Sequence, residues 1–416
     1  MVTTSLWGRH AIHAKTGFNF RRKIPMKKLW ILFLLLCMPI SAFSEETLKP
    51  EERGNIHVGQ LQIHPYLSLT EAYDDNVYAN STNTKGDWIT TTSPGVQLLM
   101  PFGNNKLAAE YKAVIDNYAD YTSEDTADHY ASVLGDFKFA SVYGLKVSDN
   151  YVYGHIPRSS SGSGEIEKYN KNAAAVSASY IFADRFKFET GYTRTDWQYT
   201  QDFDKYQSRN ENLIPTYLYY RFLPKTSAFV EYDFKNVIYD LKAYGLDNQV
   251  QTPFIGLAWD IREDTKGIAK VGYLHKSFEA SNKSGVDTWT ASVNLKHAFT
   301  EISSISVTAL RDVNEANVTG TSYFVTTGAY AEYTHKLSYK ISALARGSYG
   351  ADDYSNGIAP YSNREDRTWL GGVGLKYQMR PWLDFVLNYN HRDRDSNIAY
   401  WDMVDNRTSL TVDFAL

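Results

Sequence analysis

The chain has 416 residues, with 43% hydrophobic, 15% aromatic and 22% charged residues and a formal net charge of −4. Mean hydropathy is −0.42, and nothing after residue 44 approaches the roughly 18 consecutive apolar residues of a membrane helix. A helical membrane protein is therefore excluded, and so is a disulfide-built domain, because Cys37 is the single cysteine.

The N-terminus reads as an export signal over residues 1–44. Arg21-Arg22-Lys23 and Lys27-Lys28 precede the apolar run Leu29–Leu36, and Ala42-Phe43-Ser44 supplies small residues for cleavage. Met26 is an alternative start. Residues 1–44 hold seven basic and no acidic residues, so 36 Lys+Arg face 47 Asp+Glu in the remainder. That acidic balance argues against nucleic acid as a partner. Residues 45–63 are polar and poor in strand pattern, and are expected to form a short periplasmic arm.

From residue 64 to 416 one pattern repeats. In 106–118, Leu107, Ala109, Tyr111, Ala113 and Ile115 share one face, and Lys106, Glu110, Lys112 and Asp116 the other. In 226–239, Ala228, Val230, Tyr232 and Phe234 oppose Phe229, Glu231, Asp233 and Lys235. Period two marks strands with one apolar and one polar face. Eighteen strands are expected: 64–78, 86–100, 106–121, 128–140, 143–156, 169–182, 185–199, 210–222 and 226–239 in the first half. The second half holds 249–262, 266–280, 286–298, 302–313, 322–335, 338–351, 365–379, 382–395 and 404–416. Tight connections such as Gly103-Asn104, Ala183-Asp184 and Arg380-Pro381 alternate with long polar ones such as 157–168, 200–209 and 352–364. Tyr and Trp gather towards strand ends, as at Tyr66, Tyr180, Trp259 and Trp382. This is the layout of an all-β, up-and-down antiparallel transmembrane barrel with short periplasmic turns and longer extracellular loops. The closing strand places Leu410, Val412, Phe414 and Leu416 towards lipid, and Ser409, Thr411 and Asp413 inward. A soluble sandwich is the competing reading, but charge on its buried face would be expensive.

No catalytic motif is present: there is no G-x-S-x-G, Walker loop, H-E-x-x-H or cysteine pair. No enzyme activity, cofactor or metal is expected. The acidic stretches Asp74-Asp75-Asn76 and Gly350-Ala351-Asp352-Asp353 have the oxygen chemistry of a Ca²⁺ site, but solvated acidic loops are the commoner case. The informative surface is the polar face as a whole. Glu110, Lys112, Asp116, Arg221, Glu231, Asp233, Lys235, Asp260, Arg262, Arg346, Arg392 and Arg394 are the candidate pore-lining residues. Mixed charge with interleaved Tyr and Asn suits polar solutes or sugars.

Three segments carry a family resemblance. His64-Pro65-Tyr66-Leu67-Ser68-Leu69 is followed by Tyr73-Asp74-Asp75-Asn76-Val77-Tyr78. Gly256-Leu257-Ala258-Trp259-Asp260 leads through Thr265-Lys266-Gly267 to Lys270-Val271-Gly272-Tyr273. The last strand ends near Phe414. In these the chain resembles the β-barrel porins found with exopolysaccharide biosynthesis and export systems of Gram-negative bacteria. It departs from the usual assembly signal by ending on Leu416 rather than an aromatic. The resemblance implies an outer-membrane location, with lipid and lipopolysaccharide as surroundings and a polysaccharide and its export machinery as partners. It supplies no catalytic residues. The readings left open are support of exopolysaccharide export, a general or substrate-specific diffusion porin for small solutes, and a structural or adhesive surface barrel.

Overall fold

The computed structural model describes residues 56–161, 163–262, 264–315, 318, 320–355 and 363–415, and the side chains of 260–262 lie outside that description. The predicted signal peptide 1–44 and the arm as far as residue 55 also lie outside the described residues. The strands are β1 Ile56–Val58, β2 Leu61–Asp74, β3 Asp87–Phe102, β4 Asn105–Tyr118, β5 Thr126–Phe139, β6 Tyr143–Ile156, β7 Glu167–Phe182, β8 Phe186–Tyr199, β9 Arg209–Leu223 and β10 Thr226–Tyr239. They continue as β11 Asn248–Arg262, β12 Thr265–Phe278, β13 Val286–Thr300, β14 Ser303–Glu315, β15 Tyr323–Lys336, β16 Ile341–Tyr354, β17 Glu365–Arg380, β18 Leu383–Ser396 and β19 Met403–Ala415.

Each strand from β2 onward pairs antiparallel with the next, and β19 pairs back onto β2 from Arg407↔Asp74 to Ala415↔Tyr66. The sheet is thus a closed 18-strand barrel with no free edge along its body. The expected strands are all present, with ends shifted by a few residues.

The arm needs correction. Residues 56–63 were expected as strand-poor, yet β1 pairs with the start of β2 in the register Ile56↔Ile63 and Val58↔Leu61. Gly59, at φ +64°, permits the two-residue turn between them, and the apolar residues around it favour the extended backbone.

Alternation sets the two faces. Val133, Val147, Val176, Val230, Ile255, Leu257, Val271, Val373, Leu387 and Leu410 are exposed outward, forming the belt that lipid covers. Outward tyrosines midway along their strands turn their hydroxyls onto neighbouring amides: Tyr151 to Asn170 at 2.8 Å, Tyr192 to Asn212 at 2.6 Å, Tyr232 to Gln251 at 2.9 Å and Tyr389 to Asn406 at 2.8 Å. An apolar ring with a satisfied polar tip is what a tyrosine facing lipid requires.

Candidate functional site: an occluded outer mouth

The predicted lining residues sit on the inner face in separate groups. Glu110 accepts the Tyr66 hydroxyl at 2.6 Å, and Asp116 accepts Thr91 at 2.5 Å. Lys112 is half-buried between them. On β10, Glu231 is 3% exposed and holds Lys270 Nζ at 2.7 Å, with Asp233 one inward step away and Lys235 3.8 Å from Glu211. Arg346 donates to Asn388 at 2.6 Å. Arg392 pairs with Asp405 across the β18–β19 ladder. Arg221 lies elsewhere: it is exposed beside a periplasmic turn and donates to the carbonyl of Asp184. Asp260 and Arg262 fall among the side chains outside the description. These residues form patches of both signs along the wall rather than one converging centre.

The acidic stretch near β2 acts as a lock on the barrel seam. Asp75 accepts the Asn406 backbone N–H and side-chain amide, each at 2.7 Å. Asn76 is 2% exposed and donates to the carbonyls of Asn80 and Val404 at 2.9 Å. Asp74 accepts the Asn76 N–H at 2.9 Å. Much of the oxygen chemistry read as a possible cation site is thereby directed to protein donors that tie β2 to β19.

Two segments absent from the predicted site narrow the extracellular end. The first is the loop between β6 and β7. Arg394, on β18, donates to the carbonyl of Ser159 at 2.8 Å and to that of Trp401 at 2.7 Å. Six strand steps separate β6 from β18 round the barrel, so the loop reaches inward across the mouth. Arg158 binds Glu124 at 2.9 Å and Glu165 at 2.5 Å, and its guanidinium stands 5.5 Å from the Tyr78 ring. Glu167 is fully buried and accepts Ser161 at 2.6 Å, Ser163 at 3.0 Å and Gln207 at 3.1 Å, stapling the loop to its neighbour 200–208. In that neighbour Asp204 is 1% exposed and its Oδ2 has no partner among the described residues. Burial, and then the nearby Glu167 charge, push its carboxyl up to about 6. A cleft of about 150 Å³ remains, lined by Tyr78, Arg158, Glu165, Arg394, Tyr400 and Trp401 among others.

The second segment is a tongue, the extracellular end of β14 carried on β15, which itself stays paired with β16 as far as Phe324↔Tyr354. The β13–β14 ladder ends at Ala291↔Arg311, although β13 begins at Val286 and β14 runs on to Glu315. Beyond that point β14 pairs only with β15, through Glu315↔Tyr323. Val313 and Glu315 continue the parity of the outward face, yet both pack on the inner face of β10–β12. Glu315 accepts Lys276 at 2.8 Å, Tyr239 at 2.9 Å and Asn248 at 3.0 Å, and lies 3.7 Å from Lys235. Lys276 is 1% exposed, and Tyr239 and Asn248 are fully buried. Val313 joins Val250 and Leu274 in an apolar cluster, and Tyr323 stacks with Phe278. The tongue has folded inward and lies against the lumen wall. The predicted strand stopped at 313, two residues short of Glu315. The available signal was that residue itself, a carboxylate on a face otherwise fitted for lipid.

The family described as Putative beta-barrel porin 2 matches residues 49–416. The chain belongs to this family. It is a porin-like outer-membrane β-barrel, and the family description says nothing of exopolysaccharide. No curated protein matches the sequence. Among solved structures, this porin is similar to Acinetobacter baumannii OccAB3, with TM-score 0.49 and 12% identity over 86% of this chain and 100% of that one. It is similar to the outer membrane protein opdK from Pseudomonas aeruginosa, with TM-score 0.46 and 11% identity over 85% and 98%. A BenF-like porin from Pseudomonas fluorescens Pf-5 gives TM-score 0.47 and 10% identity over 85% and 99%. At that level of likeness no substrate transfers to this porin.

Proposed function

We propose that this porin is a diffusion channel for small polar solutes, selected by size and charge at an outer mouth narrowed from within. The observation that carries the reading is the inward anchoring of the 157–166 loop by Arg394 through the carbonyl of Ser159. A wall bearing Glu231–Lys270, Arg392–Asp405 and Lys235 offers both signs of charge to a hydrated solute, and the folded-in segments limit its width. The exopolysaccharide role implied by the resemblance gains no support from this arrangement, because both inward segments stand where a polymer would thread. Purified porin in planar bilayers is expected to conduct ions in small steps. Deletion of residues 159–165 is expected to raise the step size several-fold and to admit larger sugars in liposome swelling. A barrel that conducts nothing, or a deletion that leaves the size limit unchanged, overturns the reading.

A further inference from the structure

The cleft beside the inward loop holds its charges in pairs, with one exception. Arg364, stacked on Trp401, pairs with Asp366, and Arg392 pairs with Asp405. Arg394 is 7% exposed and forms no salt bridge among the described residues. Its Nε and Nη1 donate to the carbonyls of Trp401 and Ser159. Its Nη2 donates to nothing among the described residues, yet it is not one of the enclosed polar atoms, so it keeps accessible surface on a side chain that lines the cleft. Such a guanidinium has a charge-assisted hydrogen bond still to give, and a buried cation without an anion is costly.

The rim of the same cleft carries the opposite sign. Arg158 meets two carboxylates, the buried Glu124 and Glu165, whose side chain is 57% exposed. One cation facing two carboxylates leaves a negative charge over, and the exposed Glu165 is where a solute can reach it. Gly164 keeps the space between rim and floor open, since a Cβ there would come within 3.2 Å of the Trp401 ring. The hydroxyls of Tyr78 and Tyr400 and the side-chain amide of Asn80 also line the cleft and have no hydrogen-bond partner among the described residues. An uncompensated cation at the floor, a surplus carboxylate at the rim and about 150 Å³ between them match one chemistry: a small molecule that carries both signs.

We propose that this cleft binds a small zwitterion of the α-amino-acid class, its carboxylate on Arg394 Nη2 and its ammonium on Glu165. The site rests on the channel reading above, whose solute class it names. Binding is measured at equilibrium and conductance across a bilayer, so a barrel that binds the zwitterion yet conducts nothing loses the channel and keeps the site. The test is calorimetric binding of alanine, propionate and ethylammonium to the whole porin in nanodiscs. These three share a small alkyl skeleton and carry both charges, the negative alone and the positive alone. Alanine is expected to bind saturably and the other two about tenfold more weakly. Glu165→Gln, at an exposed position, is expected to cost alanine about tenfold and to leave propionate unchanged or tighter, an inversion that a merely structural role would not produce. Arg394→Met, which also releases Ser159, is expected to abolish binding of alanine and propionate alike. Each variant is first shown to be folded by its heat-modifiable gel migration. No saturable alanine binding, equal affinity for the three ligands, or alanine binding that Glu165→Gln leaves unchanged, overturns the site. Because the ligand series uses the unaltered porin, it decides the matter even where a variant fails to fold.

Discussion

Glu315→Ala tests whether the tongue is held by its carboxylate. In the native barrel this group receives Lys276, Tyr239 and Asn248, all within 3.0 Å and all almost wholly buried. Truncation leaves Lys276 as a buried cation, with Tyr239 and Asn248 each losing an acceptor. Leaving one member of a buried ion pair uncompensated costs about 3–5 kcal/mol. The apolar contacts of Val313 remain, so the tongue is expected to loosen without loss of the barrel. Hydrogen exchange of Tyr323–Val325 reads this directly, and a free-energy loss of that size accelerates exchange at least a hundredfold when opening is local. The double variant Glu315→Ala with Lys276→Met removes the stranded charge and is expected to recover most of the loss. Wild-type protection in Glu315→Ala, or a double variant no better than the single, refutes the account.

Asp204 gives a pH dependence with a definite sign. Its folded value of about 6 lies above the ordinary carboxylate value, so the ionised form is disfavoured in the native loop. Stability of the 200–208 loop should therefore rise as pH falls from 7 through 6 towards 4, and Asp204→Asn should flatten that profile in limited proteolysis. Gly256 lies under Phe229, and a Cβ there would come within 2.3 Å of the ring and 2.7 Å of the Ala269 carbonyl. Gly256→Ala is expected to destabilise by about 1–3 kcal/mol in denaturant-dependent folding into vesicles. The periplasmic turn Ala183-Asp184 has φ of 47° and 58° without a glycine. Ala183→Gly is expected to stabilise by about 1 kcal/mol in the same assay, and a loss would show that the turn is not strained there.

The strands were legible because their signal is local. Leu107 to Ile115 against Lys106 to Asp116 states a period of two, and turns such as Gly103-Asn104 state where it breaks. The β1 hairpin escaped because three paired residues are too few for a period to stand out from a polar arm. The predicted lining residues were chosen by parity alone, which separates inside from outside but gives no height along the barrel. Arg221 thus entered the set although it sits at a periplasmic turn.

The sequence by itself determined a barrel of eighteen strands, its two faces and its seam, since each follows from neighbours in the chain or in the ladder. The tertiary structure alone decided what lies across the mouth. Arg394 meets Ser159 across 235 positions, and Glu315 finds Lys276 and Tyr239 two and four strands away. Val313 and Glu315 keep the same alternation whether β14 zips to β13 or folds inward, so parity cannot distinguish the two. The choice rests on buried partners brought near only when the barrel closes.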